Sequence, residues 1–278
     1  MTIARAELRA GYAFVERNVN LVKRYWGWEV VWVLYTIANS LAVVLIARNV
    51  NAAVGATALS DSQVNELVLF LAVGALVWHY LAVVFQTVSE MIAWERWEGT
   101  IEYTLMAPVR RSTHMIGTAA FSLIYGLVHT AVVLVVIVAV FELDMAGADY
   151  GAATMVLMAG SLSLLGIGIM GAILPLLYPE RGDQMTHVVQ AVLVLVSGVY
   201  AVPSEMPQPL ETLAIFSPAT YIIAGIRDAL IEGDSIADLW PTLVGLLICG
   251  LVLIPIGVRA FTIAERYAKR TGRLKRSG

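Results

Sequence analysis

The chain has 278 residues, of which 59% are hydrophobic and 14% charged, and its mean hydropathy is +0.77. Soluble domains carry about 25% charged residues, so this composition excludes an ordinary soluble protein and predicts an integral membrane protein. The net charge of −3 favours no charged partner, and the single cysteine, Cys249, excludes a disulfide within one chain.

Residues 4–26 form the first predicted element, an amphipathic helix. Apolar residues recur there at spacings of three and four, which places them on one helix face: Leu8, Tyr12, Val15, Val19, Val22 and Trp26. A basic amphipathic segment before a span is typical of an interfacial helix in the headgroup plane. A helix packed against a partner's soluble domain is the alternative. Residues 1–28 lack an unbroken apolar run, and we expect the first span to act as an uncleaved signal anchor.

Six apolar stretches are long enough to cross a bilayer, which takes about 20 residues. They lie at about 29–47, 67–90, 116–141, 152–178, 185–202 and 240–261. Residues 203–239 are also apolar, but Pro218 interrupts them and Arg227 would enter the membrane core. We expect two short helices there that form a broken, re-entrant pair on the outer side. The predicted fold is thus an all-α polytopic membrane protein with one transmembrane domain over 1–278 and a basic tail at 262–278.

Orientation follows from the basic residues. With the N-terminus inside, 16 of the 18 lysines and arginines fall on the inner side, and only Arg48 and Arg227 fall outside. Such an excess marks the cytoplasmic side of a membrane protein. We expect a multi-pass protein of the cell (inner or plasma) membrane with both termini in the cytoplasm.

Polar side chains inside the spans are candidate pathway residues. His79 and His129 lie in the middle of predicted spans, and Gln86 lies nearer an inner end. Polar groups at that depth usually face a bundle interior or a cavity, where they can contact a substrate. The alternative is a hydrogen bond between helices that only stabilises packing.

Catalytic and nucleotide-binding motifs are missing. None of the three lysines follows a glycine, so the chain lacks the Gly-Lys-Ser/Thr element of a P-loop. It also lacks His-Glu-x-x-His, Gly-x-Ser-x-Gly and Ser-x-x-Lys elements. We expect no cofactor, metal or catalytic site on this chain, no enzyme activity of its own and no nucleic-acid partner.

Residues 94–108 are a charged interruption between the second and third spans. On a helical wheel of 94–106, Glu95, Glu98 and Glu102 form an acidic stripe beside an apolar one made by Trp94, Trp97, Ile101 and Leu105. Pro108 ends the predicted helix. We expect a helix along the inner membrane surface whose acidic side is free to contact a cytoplasmic partner. A solvated connector is the alternative.

Two segments resemble a known family. "ERWEGTIEYTLMAPVRRSTHMIG" is similar to the Glu-x-x-x-Gly-Thr-x-Glu-x-x-x-x-x-Pro stretch after the second span of ABC type-2 exporter permeases, with matches at Glu95, Gly99, Thr100, Glu102 and Pro108. "FSPATYIIAGIRDAL", residues 216–230, resembles the Pro-x-Thr-Tyr-x-x-x-x-x-Arg element before the last span, with matches at Pro218, Thr220, Tyr221 and Arg227. The six-span layout agrees, so the resemblance covers essentially the whole chain.

The resemblance implies an assembly of several subunits. Two six-span subunits, expected to be identical, would form a pathway through membrane lipid. Two copies of a separate ABC ATPase subunit would hold ATP and Mg, and each would dock on the coupling helix, 94–108, through Glu95, Glu98, Gly99, Thr100, Glu102 and Pro108. Residues 203–239 would be the outer gate, with Pro218, Thr220, Tyr221 and Arg227 as its residues.

The leading hypothesis is export of a lipophilic compound, such as a drug, a lipid or a natural product. Export of a lipid-linked glycan is an alternative within the family, although such exporters tend to line the pore with aromatic residues and the seven tryptophans do not obviously do so. An ATPase-independent channel or secondary transporter is an alternative from another class. A polytopic membrane enzyme is disfavoured by the missing catalytic motifs.

Overall fold

The computed structural model describes residues 3–54, 59–141 and 147–273, and every regular element in these ranges is helical. This confirms the all-α prediction. The α-helices are α1 Ile3–Arg24, α2 Trp26–Arg48, α3 Val50–Val54, α4 Asp61–Glu98, α5 Ile101–Met106, α6 Arg111–Phe141, α7 Tyr150–Gly171, α8 Ile173–Leu177, α9 Gly182–Val196, α10 Gln208–Ile215, α11 Pro218–Arg227 and α12 Trp240–Arg270. A 3₁₀ turn at Pro203–Glu205 and a π-helical turn at Asp228–Glu232 complete the described elements.

Within the described ranges, five helical stretches are long and apolar enough to cross a membrane: Trp26–Arg48, Asp61–Glu98, Arg111–Val140, Tyr150–Leu177 and Trp240–Arg270. The pair α10 and α11, extended to Glu232, is bent by 86° and counts as a broken span or a re-entrant loop. The protein is therefore a multi-pass membrane protein with five or six candidate spans.

The predicted span at 185–202 is not one of these stretches. Only its residues 185–196 belong to a helix, α9, whose 15 residues extend about 22 Å at 1.5 Å per residue, whereas the hydrocarbon core is about 30 Å thick. The helix ends at a turn in which Gly198 has φ 78°, a left-handed conformation that glycine adopts without steric cost. The apolar run continues past this turn, which is why hydropathy alone overestimated the length of the helix.

Helix α4 is longer than a bilayer requires. Its 38 residues begin at a capping box, in which the Ser60 hydroxyl accepts from the Gln63 N–H and the Gln63 side chain accepts from the Ser60 N–H at 3.0 Å. It ends at Gly99, which has φ 76°. The helix is about 57 Å long, so one rigid element runs through the membrane and projects beyond it.

Close helix packing holds α7 in the centre of the subunit. A Cβ added to Gly166 would lie 2.6 Å from the carbonyl carbon of Leu253, and one added to Gly257 would lie 2.7 Å from the carbonyl oxygen of Gly166. Glycines at such positions let two helices approach closely inside a membrane. Gly166 therefore serves packing against α12, whereas Gly160 packs against α11 and Gly168 against α4.

One end of the bundle, here named the basic end, collects α1, the last turn of α4, α5, the start of α6 and the last turns of α12. Helix α1 packs on α6 so closely that a Cβ on Gly117 would lie 2.8 Å from the Gly11 carbonyl oxygen. Leu8 and Tyr12, on the predicted apolar face of α1, are exposed. Residues 262–270 are the end of α12 rather than a separate tail, and 274–278 lie outside the described residues.

Candidate transport pathway and coupling segment

The segment predicted as one coupling helix is two helices. Trp94–Glu98 are the last residues of α4, and α5 begins at Ile101. The prediction of a continuous helix over 94–106 is wrong, because Gly99 adopts a left-handed φ of 76° that ends α4. Thr100 lies at the start of α5 and donates from its hydroxyl to the Glu95 carbonyl oxygen at 3.4 Å.

Glu95 is buried at this junction rather than exposed. Only 3% of its side chain is accessible, and its carboxylate pairs with Arg17 Nη2 at 2.5 Å and His114 Nε2 at 3.1 Å. The Phe14 ring packs on His114 with centroids 4.6 Å apart. The expectation that Glu95 shares an exposed acidic stripe is therefore wrong, since α1 and α6 cover that side of α4. Glu95 instead ties three helices together.

The buried face of α5 is anchored to the last helix. Ile101 and Leu105 are fully buried, and the Arg111 guanidinium donates to the carbonyl oxygens at the end of α5. Arg111 also pairs with Glu265 at 3.0 Å, and Glu265 pairs with Lys269 at 2.7 Å. Cations near a helix C-terminus satisfy its free carbonyls. The ion pairs therefore join α5, α6 and α12 into one unit.

The opposite face of α5 is exposed on the surface of the subunit. Tyr103 is 73% and Met106 72% exposed, and Glu102 and Pro108 are exposed beside them. Helical spacing could have identified Tyr103 and Met106, because i, i+3 positions share a face, but they were not singled out from the sequence. Of the other predicted coupling residues, Glu98 is partly buried and lies 3.8 Å from Arg24.

Arg227, the predicted gate residue, lies in a buried junction. The side chain is only 8% exposed, and its guanidinium donates to the carbonyl oxygens of Phe70, Gly198 and Val199. It also stacks 3.5 Å above the Phe70 ring. Arg227 is therefore not a solvated loop charge. Arg227 joins α11 to α4 and to the turn that follows α9.

The other residues of the second motif fix the bend between α10 and α11. Pro218 is the first residue of α11, where a missing N–H has no cost. The Thr220 hydroxyl donates to the Val196 carbonyl oxygen at 2.8 Å, and the Tyr221 hydroxyl donates to the Ile215 carbonyl oxygen at 2.9 Å. The four motif residues therefore hold the bent pair against the C-terminal end of α9.

A cavity of about 740 Å³ opens between α2, α4, α6 and α9. It brings together all three predicted pathway residues, His79, Gln86 and His129. The His79 and His129 rings have centroids 6.4 Å apart. Five of the seven tryptophans also line it: Trp28, Trp32, Trp78, Trp94 and Trp97. Tryptophans that are distant in sequence therefore converge on one cavity, which the sequence alone did not indicate.

Carboxylates lie among these aromatic residues. Glu29 accepts a hydrogen bond from the Tyr125 hydroxyl and lies 3.3 Å from His129 Nε2. Gln86 Nε2 donates to Glu90 Oε1 at 2.9 Å and lies 3.2 Å from His187 Nε2. Glu29, Glu90 and Asp183 all line the cavity, and the part of its wall that the structure describes contains no lysine or arginine. The arrangement is a concave, largely aromatic site with polar groups at fixed positions.

Comparison with known protein families finds a match over most of the chain. The model of the family described as ABC-2 family transporter protein matches residues 29–259. The match therefore extends from the first turn of α2 into α12 and includes every residue of the cavity wall except Trp28. No curated protein sequence matches the chain.

Proposed function

The chain belongs to the ABC-2 family of transporter proteins, and from this premise we propose that it is the membrane subunit of an ATP-driven exporter of a lipophilic compound. The main support for this proposal is that α4 is one continuous helix from Asp61 to Glu98. This helix lines the cavity through Trp78, His79 and Gln86 and ends at the coupling segment. The chain itself is not catalytic; ATP and Mg are held by a separate ATPase subunit.

The coupling segment, here the end of α4 together with α5, would dock on that ATPase subunit. Glu102, Tyr103, Met106 and Pro108 offer an exposed surface of mixed chemistry on a helix whose other face is anchored. Because α5 is bound through Arg111 to Glu265 of α12, a displacement of α5 has to move the bundle as well. Rigid elements of this kind are suitable carriers of motion between two sites. Two ATPase copies and a second, identical permease subunit complete the proposed assembly.

A second function is favoured by one observation. The tryptophans of the cavity wall offer flat surfaces on which sugar rings could stack, which supports export of a lipid-linked glycan. The charge of the cavity separates this candidate from the first.

Docking can be tested by charge reversal at Glu102. We expect Glu102→Lys to weaken co-purification of the ATPase subunit by about tenfold or more, since close charge pairs at interfaces couple by about 1.5–7 kcal/mol. Glu180→Lys is the matched control, an exposed glutamate in the turn between α8 and α9. Equal ATPase binding and equal ATP-dependent transport in the two variants would contradict docking through α5.

Orientation can be tested by labelling introduced cysteines. The only native cysteine, Cys249, is half-buried in α12 and gives a low background. We expect a membrane-impermeant maleimide to label Asp234→Cys and Asp144→Cys in intact cells, and Arg110→Cys and Lys275→Cys only after permeabilisation. Asp144 and Lys275 lie outside the described residues. Labelling of Lys275→Cys from outside would overturn the proposed cytoplasmic position of the basic end.

A further inference from the structure

We propose that the cavity between α2, α4, α6 and α9 is a binding site for lipophilic cations, that is, molecules with an aromatic or aliphatic body and a fixed positive charge or a protonated amine. The inference deepens the proposed function and rests on it only for the transport that follows binding. It is carried by the charge of the cavity wall, its aromatic surface and the partners of its carboxylates.

Apart from three histidines and three tyrosines, the ionisable side chains that line the described part of the wall are carboxylates. Glu29, Glu90 and Asp183 line the cavity, and no lysine or arginine accompanies them in the described part of the wall. Both Asp183 and Glu29 lie close enough to Glu90 for negative charges there to repel one another. All three are partly buried, and carboxylates crowded into a partly buried wall are costly unless a positive charge compensates them. A bound cation would supply that compensation.

The neighbours of Glu29 and Glu90 are hydroxyl, amide and imidazole groups rather than the permanent cations of lysine or arginine. Glu29 accepts from Tyr125 and lies near His129, and Glu90 accepts from the neutral amide of Gln86. Within the described residues, neither carboxylate forms an ion pair with a lysine or an arginine. Hydrogen bonds hold the two carboxyl groups in position in the cavity wall, where a bound cation would favour their charged form.

The aromatic residues complete the match to a cation with an apolar body. The faces of tryptophan rings attract cations through their quadrupole, more strongly than those of other aromatic side chains. Trp94 and Trp97 pack edge to face with centroids 5.5 Å apart, and both line the cavity beside Glu90. An aromatic or aliphatic ligand body would be buried against the same surface.

Ligands of the opposite charge do not fit. A lipid-linked glycan carries phosphate, which proteins recognise with arginine or lysine side chains or with free backbone N–H groups. The described wall offers no arginine or lysine and places three carboxylates there instead. Stacking of sugars on the tryptophans would not offset that repulsion. The charge of the site therefore favours the cation over the glycan.

Two probes of the same shape and opposite charge test the proposal. The purified subunit in nanodiscs of zwitterionic lipid is titrated with tetraphenylphosphonium and with tetraphenylborate, and binding to empty nanodiscs is subtracted. We expect saturable binding of the cation that quenches tryptophan fluorescence, and no saturable binding of the anion. Glu29→Gln and Glu90→Gln should each raise the Kd of the cation by about tenfold or more.

Two control variants make the result specific. Glu66→Gln removes an exposed carboxylate of α4 outside the cavity and should leave the Kd unchanged. Glu90→Asp keeps the carboxyl group and should retain most of the affinity for the cation. If it does, the loss of affinity in Glu90→Gln is due to the missing carboxylate and not to misfolding. An equal or tighter Kd for tetraphenylborate, or a cation Kd that both glutamine variants leave unchanged, would overturn the proposal. Saturable binding of a lipid-linked oligosaccharide without cation binding would overturn it in favour of the glycan.

The binding assay contains no ATPase, so the two proposals can fail separately. Cation binding without ATP-dependent transport in the reconstituted complex would contradict the proposed exporter function and leave the site intact. ATP-dependent transport of another compound, with no cation binding, would contradict the site and leave the exporter function intact.

Discussion

Arg227→Ala is expected to reduce ATP-dependent transport by at least about tenfold. The guanidinium is the shared donor for the carbonyl oxygens of Phe70, Gly198 and Val199. Each carbonyl left without a partner in a buried site costs about 1–3 kcal/mol, and no water replaces the donor in a membrane interior. The turn after α9 would therefore separate from α4 and α11, and the bent helix pair would lose its fixed position.

ATPase binding should survive the same substitution. Arg227 lies at the junction of α4, α9 and α11, whereas the coupling segment lies at the basic end of the bundle. The measurement is transport into vesicles, together with co-purification of the ATPase subunit. Arg181→Ala, an exposed arginine before α9, is the control and should transport normally.

Arg227→Lys refines the result. A lysine keeps the charge, but its compact ammonium cannot present the planar fork that reaches three carbonyls at once. We expect the transport rate of Arg227→Lys to lie between the rates of Arg227→Ala and of the unaltered protein. Normal transport in Arg227→Ala would show that the junction has no part in the transport cycle and would remove the basis for calling α10 and α11 a gate.

Hydropathy predicted most of the membrane helices because a bilayer imposes a simple requirement. A span needs about 20 apolar residues, and α2, α4, α6, the α7–α8 stretch and α12 satisfy it. The requirement is necessary but does not locate the end of a helix. Gly198 follows the end of α9 and Gly99 follows the end of α4, both in left-handed backbone conformations. Gly198 lies inside an apolar run and Gly99 inside an amphipathic pattern, and neither pattern shows where the helix stops.

The sequence predicted the polar residues of the cavity but not its aromatic wall. His79, Gln86 and His129 could be selected one by one, because a polar residue at membrane depth needs a polar environment. The aromatic wall could not, since Trp28 of α2 and Trp97 of α4 become neighbours only through the packing of their helices. A helical wheel has the same weakness: it places Glu95 on the surface of an isolated helix and has no information on the α1 helix that covers it.

Glu95→Gln is expected to destabilise the basic end strongly. The carboxylate accepts from Arg17 and His114 while being almost fully buried. The buried His114 loses its charged acceptor, which costs about 1–3 kcal/mol, whereas Arg17 is 36% exposed and stays hydrated. A glutamine preserves the size of the side chain, so the loss should come from the charge and not from a cavity. The measurement is the thermal unfolding midpoint of the purified subunit.

Glu98→Gln is the matched control, three residues along the same helix. Its carboxylate lies 3.8 Å from Arg24, which is largely exposed, and such pairs contribute about 1 kcal/mol or less. We expect a small change in the unfolding midpoint for Glu98→Gln and a large decrease for Glu95→Gln. The variant Arg17→Gln combined with Glu95→Gln should lose less than the sum of the single changes, since the two residues share one interaction.

The same pair of variants separates a structural role of Glu95 from direct contact with the ATPase. If Glu95 holds α1, α4 and α6 together, Glu95→Gln lowers the unfolding midpoint, and reduced transport follows from a loosened coupling segment. If Glu95 instead faces the ATPase, the midpoint stays unchanged while ATPase binding falls. That second outcome would mean that the buried ion pairs open when the partner docks. Because α1 would then have to leave its position on α6, position 17, which is already partly exposed, would become more accessible, and a cysteine there would react faster with a maleimide in the complex than in the free subunit.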